Sequence, residues 1–148
     1  MPRAYLIYAI LLAATIFEVR PCAAEMVVAL GYAPGGPTNG WVYGQSSGVD
    51  AKTIALNICR GIDKTNNVIP NNPSAAQKNC AIVATLNNQC FAISSNGKPA
   101  NSPTGFGWVV APDSSAANGQ ALAICKKMKG NGGATCTIRG SGCDGSAK

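Results

Sequence analysis

The sequence predicts an α+β fold: two β-β-α-β repeats that share one antiparallel sheet, covered by two helices, pseudo-twofold and stapled by disulfides. Three observations predict it. Ala51, Ala55, Leu56, Ile58, Cys59 and Ile62 recur 66 positions later as Ala117, Ala121, Leu122, Ile124, Cys125 and Met128. Within each set the apolar residues step by three and four, the period of a helix buried on one side. Short apolar, β-branched runs bounded by Gly, Pro and Asn flank both helices. At 148 residues, neither half could bury both faces of its own elements, so a shared core is expected.

The chain opens with Arg3 and an apolar run from Ala4 to Phe17, and then offers small residues at Cys22-Ala23-Ala24. That order is expected of a signal peptide over residues 1–24, cleaved before Glu25. The run is too short for the roughly 20 residues of a membrane span, so no transmembrane anchor is expected after cleavage. Residues 25–148 then form one domain, with repeats over about 26–86 and 90–143. Cleavage removes Arg3, Arg20, Glu18 and Cys22, which leaves a basic chain with six cysteines. An even count after an export signal reads as three disulfides formed in an oxidising compartment, periplasmic or extracellular. No CxxC pair is present, so a zinc site built from cysteine is not expected.

In the first repeat, Met26 to Tyr32 forms a strand that Pro34-Gly35-Gly36-Pro37 ends, and Trp41 to Tyr43 forms a second. Ser47-Gly48-Val49-Asp50 has capping-box spacing before the first helix, and Gly61 lies at its end. Residues 66–79 are polar and rich in Pro and Asn, an expected exposed loop. Cys80 to Leu86 is a third strand, turned by Asn87-Asn88-Gln89. In the second repeat, Cys90 to Ser94 forms a strand, Asn96-Gly97 turns, and Phe106 to Ala111 runs to a helix started near Asp113. Gly130 lies near that helix's end, and Cys136 to Arg139 closes the repeat. Trp41-Val42 aligns with Trp108-Val109 once a one-residue gap is allowed.

Cys59 and Cys125 occupy equivalent places late in the helices, and Cys80 and Cys136 open the strands that follow. Symmetry therefore suggests Cys59–Cys80 and Cys125–Cys136, each tying a helix to its own next strand. Cys90–Cys143 follows by elimination and would join the two repeats. Six cysteines allow fifteen connectivities, and this is the most economical.

The combination of Phe106-Gly107-Trp108-Val109-Val110-Ala111, Ala116-Ala117 and Gln120-Ala121-Leu122-Ala123-Ile124-Cys125 is distinctive. Cys136-Thr137-Ile138 and Ala55-Leu56-Asn57-Ile58-Cys59 belong to the same pattern. Over about residues 26–143 the chain resembles the small exported bacterial proteins of domain-of-unknown-function family 4189. The segment 66–79 is longer than that family's compact spacing. The resemblance implies an exported, disulfide-bonded α+β domain and carries over no catalytic residue.

The absence of histidine excludes Ser-His-Asp and Cys-His nucleophiles and an imidazole base. Ser95-Asn96-Gly97-Lys98 has the Ser-x-x-Lys spacing of serine acyl-enzymes, but Asn-Gly between them favours a turn. Asp50 and Asp113 could serve as paired acids and are better explained as helix starts. Gly130-Asn131-Gly132-Gly133 lacks the Lys-Ser/Thr of a phosphate loop. Trp41 and Trp108, with Phe106 and Tyr43, could stack a ligand, though their strand positions favour a core role. Lys126, Lys127 and Lys129 form a basic cluster that suits an acidic protein or an anionic envelope polymer, or simply complements the helix dipole. No cofactor motif or nucleic-acid signature is present.

The function expected is a non-catalytic exported interaction domain that binds an envelope or extracellular protein or polymer. Its most specific form is an inhibitor or immunity-type protein. The alternatives are a cell-envelope enzyme using Asp or Ser chemistry and a self-associating surface protein, for which homo-oligomers are expected.

Overall fold

A computed structural model of the chain describes residues 25–62, 73–97, 105–128, 135–145 and 147. The leader expected over residues 1–24 lies outside them. The elements run β1 (Met26–Tyr32), a 3-10 turn (Pro37–Asn39), β2 (Trp41–Ser47), α1 (Ala51–Cys59), α2 (Ala75–Lys78), β3 (Ala81–Leu86), β4 (Cys90–Ser95), β5 (Phe106–Ala111), α3 (Ser114–Lys127) and β6 (Thr137–Cys143).

The strands form two antiparallel three-stranded sheets, ordered β2-β1-β3 and β5-β4-β6, where the sequence suggests one shared sheet. The reason lies in the two central strands. Alternate residues of β1 point to opposite faces, and both faces are apolar. Val28 and Leu30 join Trp41 and Leu86 and meet Phe91, Ile93 and Phe106 of the second sheet. On the other face, Val27 and Ala29 pack with Ala51, Ala55 and Cys59 of α1. Likewise Cys90 and Ala92 of β4 lie beneath Ala117 and Ala121 of α3. A single six-stranded sheet would leave one such face in water. Stacking two sheets buries both, in the layer order helix, sheet, sheet, helix.

The two kinds of layer contact use different side chains. Between the sheets sit the bulky ones, and Trp41, Phe91, Leu86 and Ile93 are fully buried. Burying each such group contributes about 1.5–3 kcal/mol. Beneath the helices the buried side chains are smaller, alanine, cysteine and Val27, and at two points the edge strands touch helix backbone. A Cβ at Gly44 would lie 2.2 Å from the Ala55 carbonyl oxygen, and one at Gly107 would lie 2.4 Å from that of Ala121. The neighbouring contacts match as well: Cys59 N and Ile58 Cβ in the first half, Cys125 N and Ile124 Cβ in the second. Both sheets also carry a register shift at the centre, between Val28 and Ala29 and between Ile93 and Ser94. Aligning the two halves on these glycines sets Tyr43 against Phe106 and Gln45 against Trp108. The tryptophan pairing suggested by the sequence is therefore out of register.

Local chemistry explains the helix ends. Asp113 caps α3, with its Oδ1 accepting the Ala116 N–H at 2.8 Å. The box expected at Ser47–Asp50 does not form. Asp50 is the N-cap of α1 but makes no side-chain cap bond and sits at φ 62°, as the third residue of a turn in which Ala51 N–H donates to the Gly48 carbonyl. At the other end Gly61, at φ 71°, ends α1: its N–H donates to Ile58 O and that of Ile62 to Asn57 O. This is the paired Schellman arrangement, which favours glycine. The part of the expected exposed loop that is described holds α2, opened by a capping box between Ser74 and Gln77.

The disulfides are Cys59–Cys80, Cys125–Cys136 and Cys90–Cys143. The first two tie each long helix to the strand after it. Cys90–Cys143 does not join the halves, contrary to the expectation from elimination. It links directly paired positions of β4 and β6, within the second sheet. The halves meet covalently only through residues 87–89.

Candidate functional site

The basic cluster expected from the sequence sits on the end of α3. Lys126 and Lys127 are exposed in its last turn, and Lys129 lies outside the described residues. Cys125, immediately before them, is fully buried and bonded to Cys136. Met128, immediately after, packs on the inter-sheet core, and its Sδ accepts the Phe106 N–H at 3.0 Å. Both lysines are thus carried on a turn fixed from either side. Ile124, 43% exposed, lies three positions before Lys127 and so shares its helix face, whereas Lys126 at two positions on does not. In the first half the matching helix end offers an exposed Arg60, and Lys64 lies outside the described residues.

Of the catalytic candidates, Ser95 and Asp113 make structural hydrogen bonds, whereas Asp50 makes no side-chain cap bond. Ser95 is buried, with its hydroxyl donating to Gly105 O at 3.1 Å and accepting the Gly97 N–H at 3.0 Å. That hydroxyl closes the turn between β4 and β5, and Lys98 lies outside the described residues. Its neighbour Ser94 is equally buried and donates to the Ala121 carbonyl at 2.6 Å, pinning α3 to its sheet. Asp50 and Asp113 start helices on opposite outer layers, separated by two sheets stacked about 10 Å apart. Two carboxylates so placed cannot flank one scissile bond. Residues 130–133 lie outside the described residues.

The aromatic side chains form core rather than a shelf. Trp41 is fully buried, and its ring lies 5.0 Å from Phe106 and 6.0 Å from Tyr43. Tyr32 meets Phe106 edge-on at 5.7 Å. Burial pushes the Tyr32 phenol up to about 12 from its usual 10.0, since the charged phenolate loses its hydration there. The Tyr43 hydroxyl donates to Arg139 O at 3.3 Å and bridges the two sheets. Trp108 is half-buried against the same core.

Sequence reasoning missed one concave feature. At the start of α1 a cavity of about 250 Å³ is lined by Glu25, Val27, Gly48, Asp50, Ala51, Lys52 and Thr53. Beside it Val49 is 88% exposed. Among the described residues, no group of three or more His, Cys, Asp or Glu is placed to hold a metal.

The family described as "Domain of unknown function (DUF4189)" matches residues 28–143. The chain belongs to this family. No curated protein and no solved structure matches it. For this member of DUF4189, three disulfides indicate folding in an oxidising, non-cytoplasmic compartment. Among the described residues, no helix is long and apolar enough to cross a membrane.

Proposed function

We propose that this DUF4189 protein is an exported, non-catalytic interaction domain, released from a leader over residues 1–24. It binds an acidic protein or anionic polymer of the envelope or exterior through the end of α3. In its most specific form it is an inhibitor or immunity-type protein that blocks an envelope-acting enzyme. The observation that carries this reading is the exposed Ile124 with Lys127 on the same helix face and Lys126 exposed in the same turn, which a disulfide holds. An apolar residue next to a cation on a preorganised surface suits an interface, because little ordering entropy is lost on binding. The matching glycine contacts, strand orders and register shifts of the two sheets further support descent from a duplicated β-β-α-β unit with a pseudo-twofold relation.

The test is capture from envelope extracts with the oxidised chain, followed by affinity measurement across salt concentrations. Lys126→Glu with Lys127→Glu is expected to weaken binding about tenfold and flatten its salt dependence. Affinity unchanged in that variant removes this surface from the reading. The cavity beside α1 favours one alternative, an enzyme acting through Glu25 and Asp50. Turnover of a peptidoglycan or ester substrate, abolished by Asp50→Asn at unchanged melting temperature, would establish it.

A further inference from the structure

We infer that the Cys90–Cys143 disulfide is a thiol-exchange site, opened by a dithiol reductant that attacks the Cys143 sulfur. Five of the six bonded cysteines are buried, from 0% for Cys90 and Cys125 to 7% for Cys80. Cys143 alone is half-buried, at the end of edge strand β6. Exchange requires a thiolate to approach a disulfide sulfur, so access selects which bond opens and which sulfur is attacked.

The other two disulfides join residues that are all buried. Cys80 Sγ lies under Gly31, where an added Cβ would stand 2.9 Å away. Cys59 sits beneath α1 with Val27 and Ala29. Cys125 is fully buried at the contact between α3 and Gly107. Cys90–Cys143 also differs in what it holds. It joins two strands that are already paired along Phe91–Gly142 to Ser95–Thr137, and Cys125–Cys136 anchors the other end of β6 to α3. The first sheet has the same strand order and pairs β1 with β3 without such a bond. Opening therefore loosens one corner, where Asp144 N–H donates to Gln89 O beside the 87–89 crossover.

The exchange balances as two displacements. A reductant thiolate forms a bond to Cys143 Sγ and expels the Cys90 thiolate, which takes up a proton. The reductant's second thiolate then attacks its own sulfur of the mixed disulfide and expels the Cys143 thiolate, which is protonated in turn. The chain gains two electrons and two protons, and the reductant leaves as a cyclic disulfide.

Graded dithiothreitol treatment of the native oxidised chain, quenched with iodoacetamide and read by peptide mass mapping, tests this directly. Cys90 and Cys143 are expected to carry alkyl groups at about a tenth of the reductant needed for the other four, and a parallel unquenched sample is expected to retain its far-UV circular dichroism and to re-form the bond in air once the reductant is removed. Either helix–strand bond opening first, or all six thiols appearing together, overturns the inference. Glutathione in place of the dithiol is expected to leave its adduct on the Cys143 peptide. An adduct predominantly on Cys90 refutes the assignment of the attacked sulfur.

Discussion

Replacing Gly107 by alanine tests whether the helices are seated on their sheets by backbone contact. The new methyl carbon would stand 2.4 Å from Ala121 O, 2.8 Å from Cys125 N and 2.9 Å from Ile124 Cβ. Two of these atoms are helix backbone, and Cys125 is tethered to Cys136, so the neighbours cannot simply swing aside. Relief requires α3 to lift by about 1 Å, a gap that forfeits a quarter to a half of each dispersion contact it opens. Ala117, Ala121 and Cys125 form the buried stripe. If each makes about a third of the contacts of a leucine, the loss is about 2–4 kcal/mol, at the upper end of ordinary overpacking. Gly119 serves as the control, because it lies in the same helix with nothing within 4 Å of an added Cβ. Gly119→Ala is expected to stabilise by about 1 kcal/mol through helix propensity. Thermal unfolding followed by circular dichroism should show a fall of about 10 °C for Gly107→Ala and a rise of about 3–5 °C for Gly119→Ala. Equal melting temperatures for Gly107→Ala and the parent chain would refute the close-contact account.

Removing Cys59–Cys80, which spans 21 residues, as a double alanine variant is expected to cost about 3 kcal/mol in denaturant unfolding. The 11-residue span of Cys125–Cys136 should cost about half a kcal/mol less. Asp113→Ala is expected to lose about 1 kcal/mol with its cap bond. Asp50→Gly should instead gain about 1 kcal/mol, because the wild-type residue sits at φ 62° and makes no cap bond. Tyr32 binds its proton more tightly when folded, at about 12 against 10.0. Its contribution is therefore complete below pH 10 and lost as pH rises toward 12, because the unfolded chain ionises first. Urea titrations across that range should show the decline, and Tyr32→Phe should flatten it.

The parts legible in the sequence were those carried by buried periodicity. Met26 to Tyr32 and Phe106 to Ala111 have the bounds of β1 and β5, and the Ala-Ala-Cys stripes lie at the buried faces of α1 and α3. Cys59–Cys80 and Cys125–Cys136 also follow from matching equivalent cysteines, and the Cys90–Cys143 pair from elimination, though not its place within one sheet. What was lost lacked apolar signal. The ends of β2 and β6, Gly44 to Ser47 and Gly140 to Cys143, consist of glycine, polar residues and one cysteine, without the β-branched run that marks a strand. Helix α2 was masked by its Pro- and Asn-rich surroundings, although Ser74 and Gln77 spell its capping box. The sequence places a turn at Asn87-Asn88-Gln89 within one sheet, whereas these residues cross from one sheet to the other. Cys90 to Ser95 is buried at every position, and that pattern marks a central strand covered on both faces. Of the candidate site, the lysines could be read as a run, whereas the exposure of Ile124 and the cavity at Glu25 depend on how layers stack.

The crossover at residues 87–89 gives the molecule a property that its dense cross-linking conceals. Asn87, Asn88 and Gln89 are exposed, and no disulfide spans them. A single proteolytic nick there would produce two stapled fragments held by the apolar contacts between the sheets and by non-covalent bonds such as that from Tyr43 to Arg139. Denatured without reductant, such a nicked protein would migrate as two pieces. Mixed again under native conditions, the pieces could reassemble, since each keeps its own sulfur bonds and lacks only the other's greasy face.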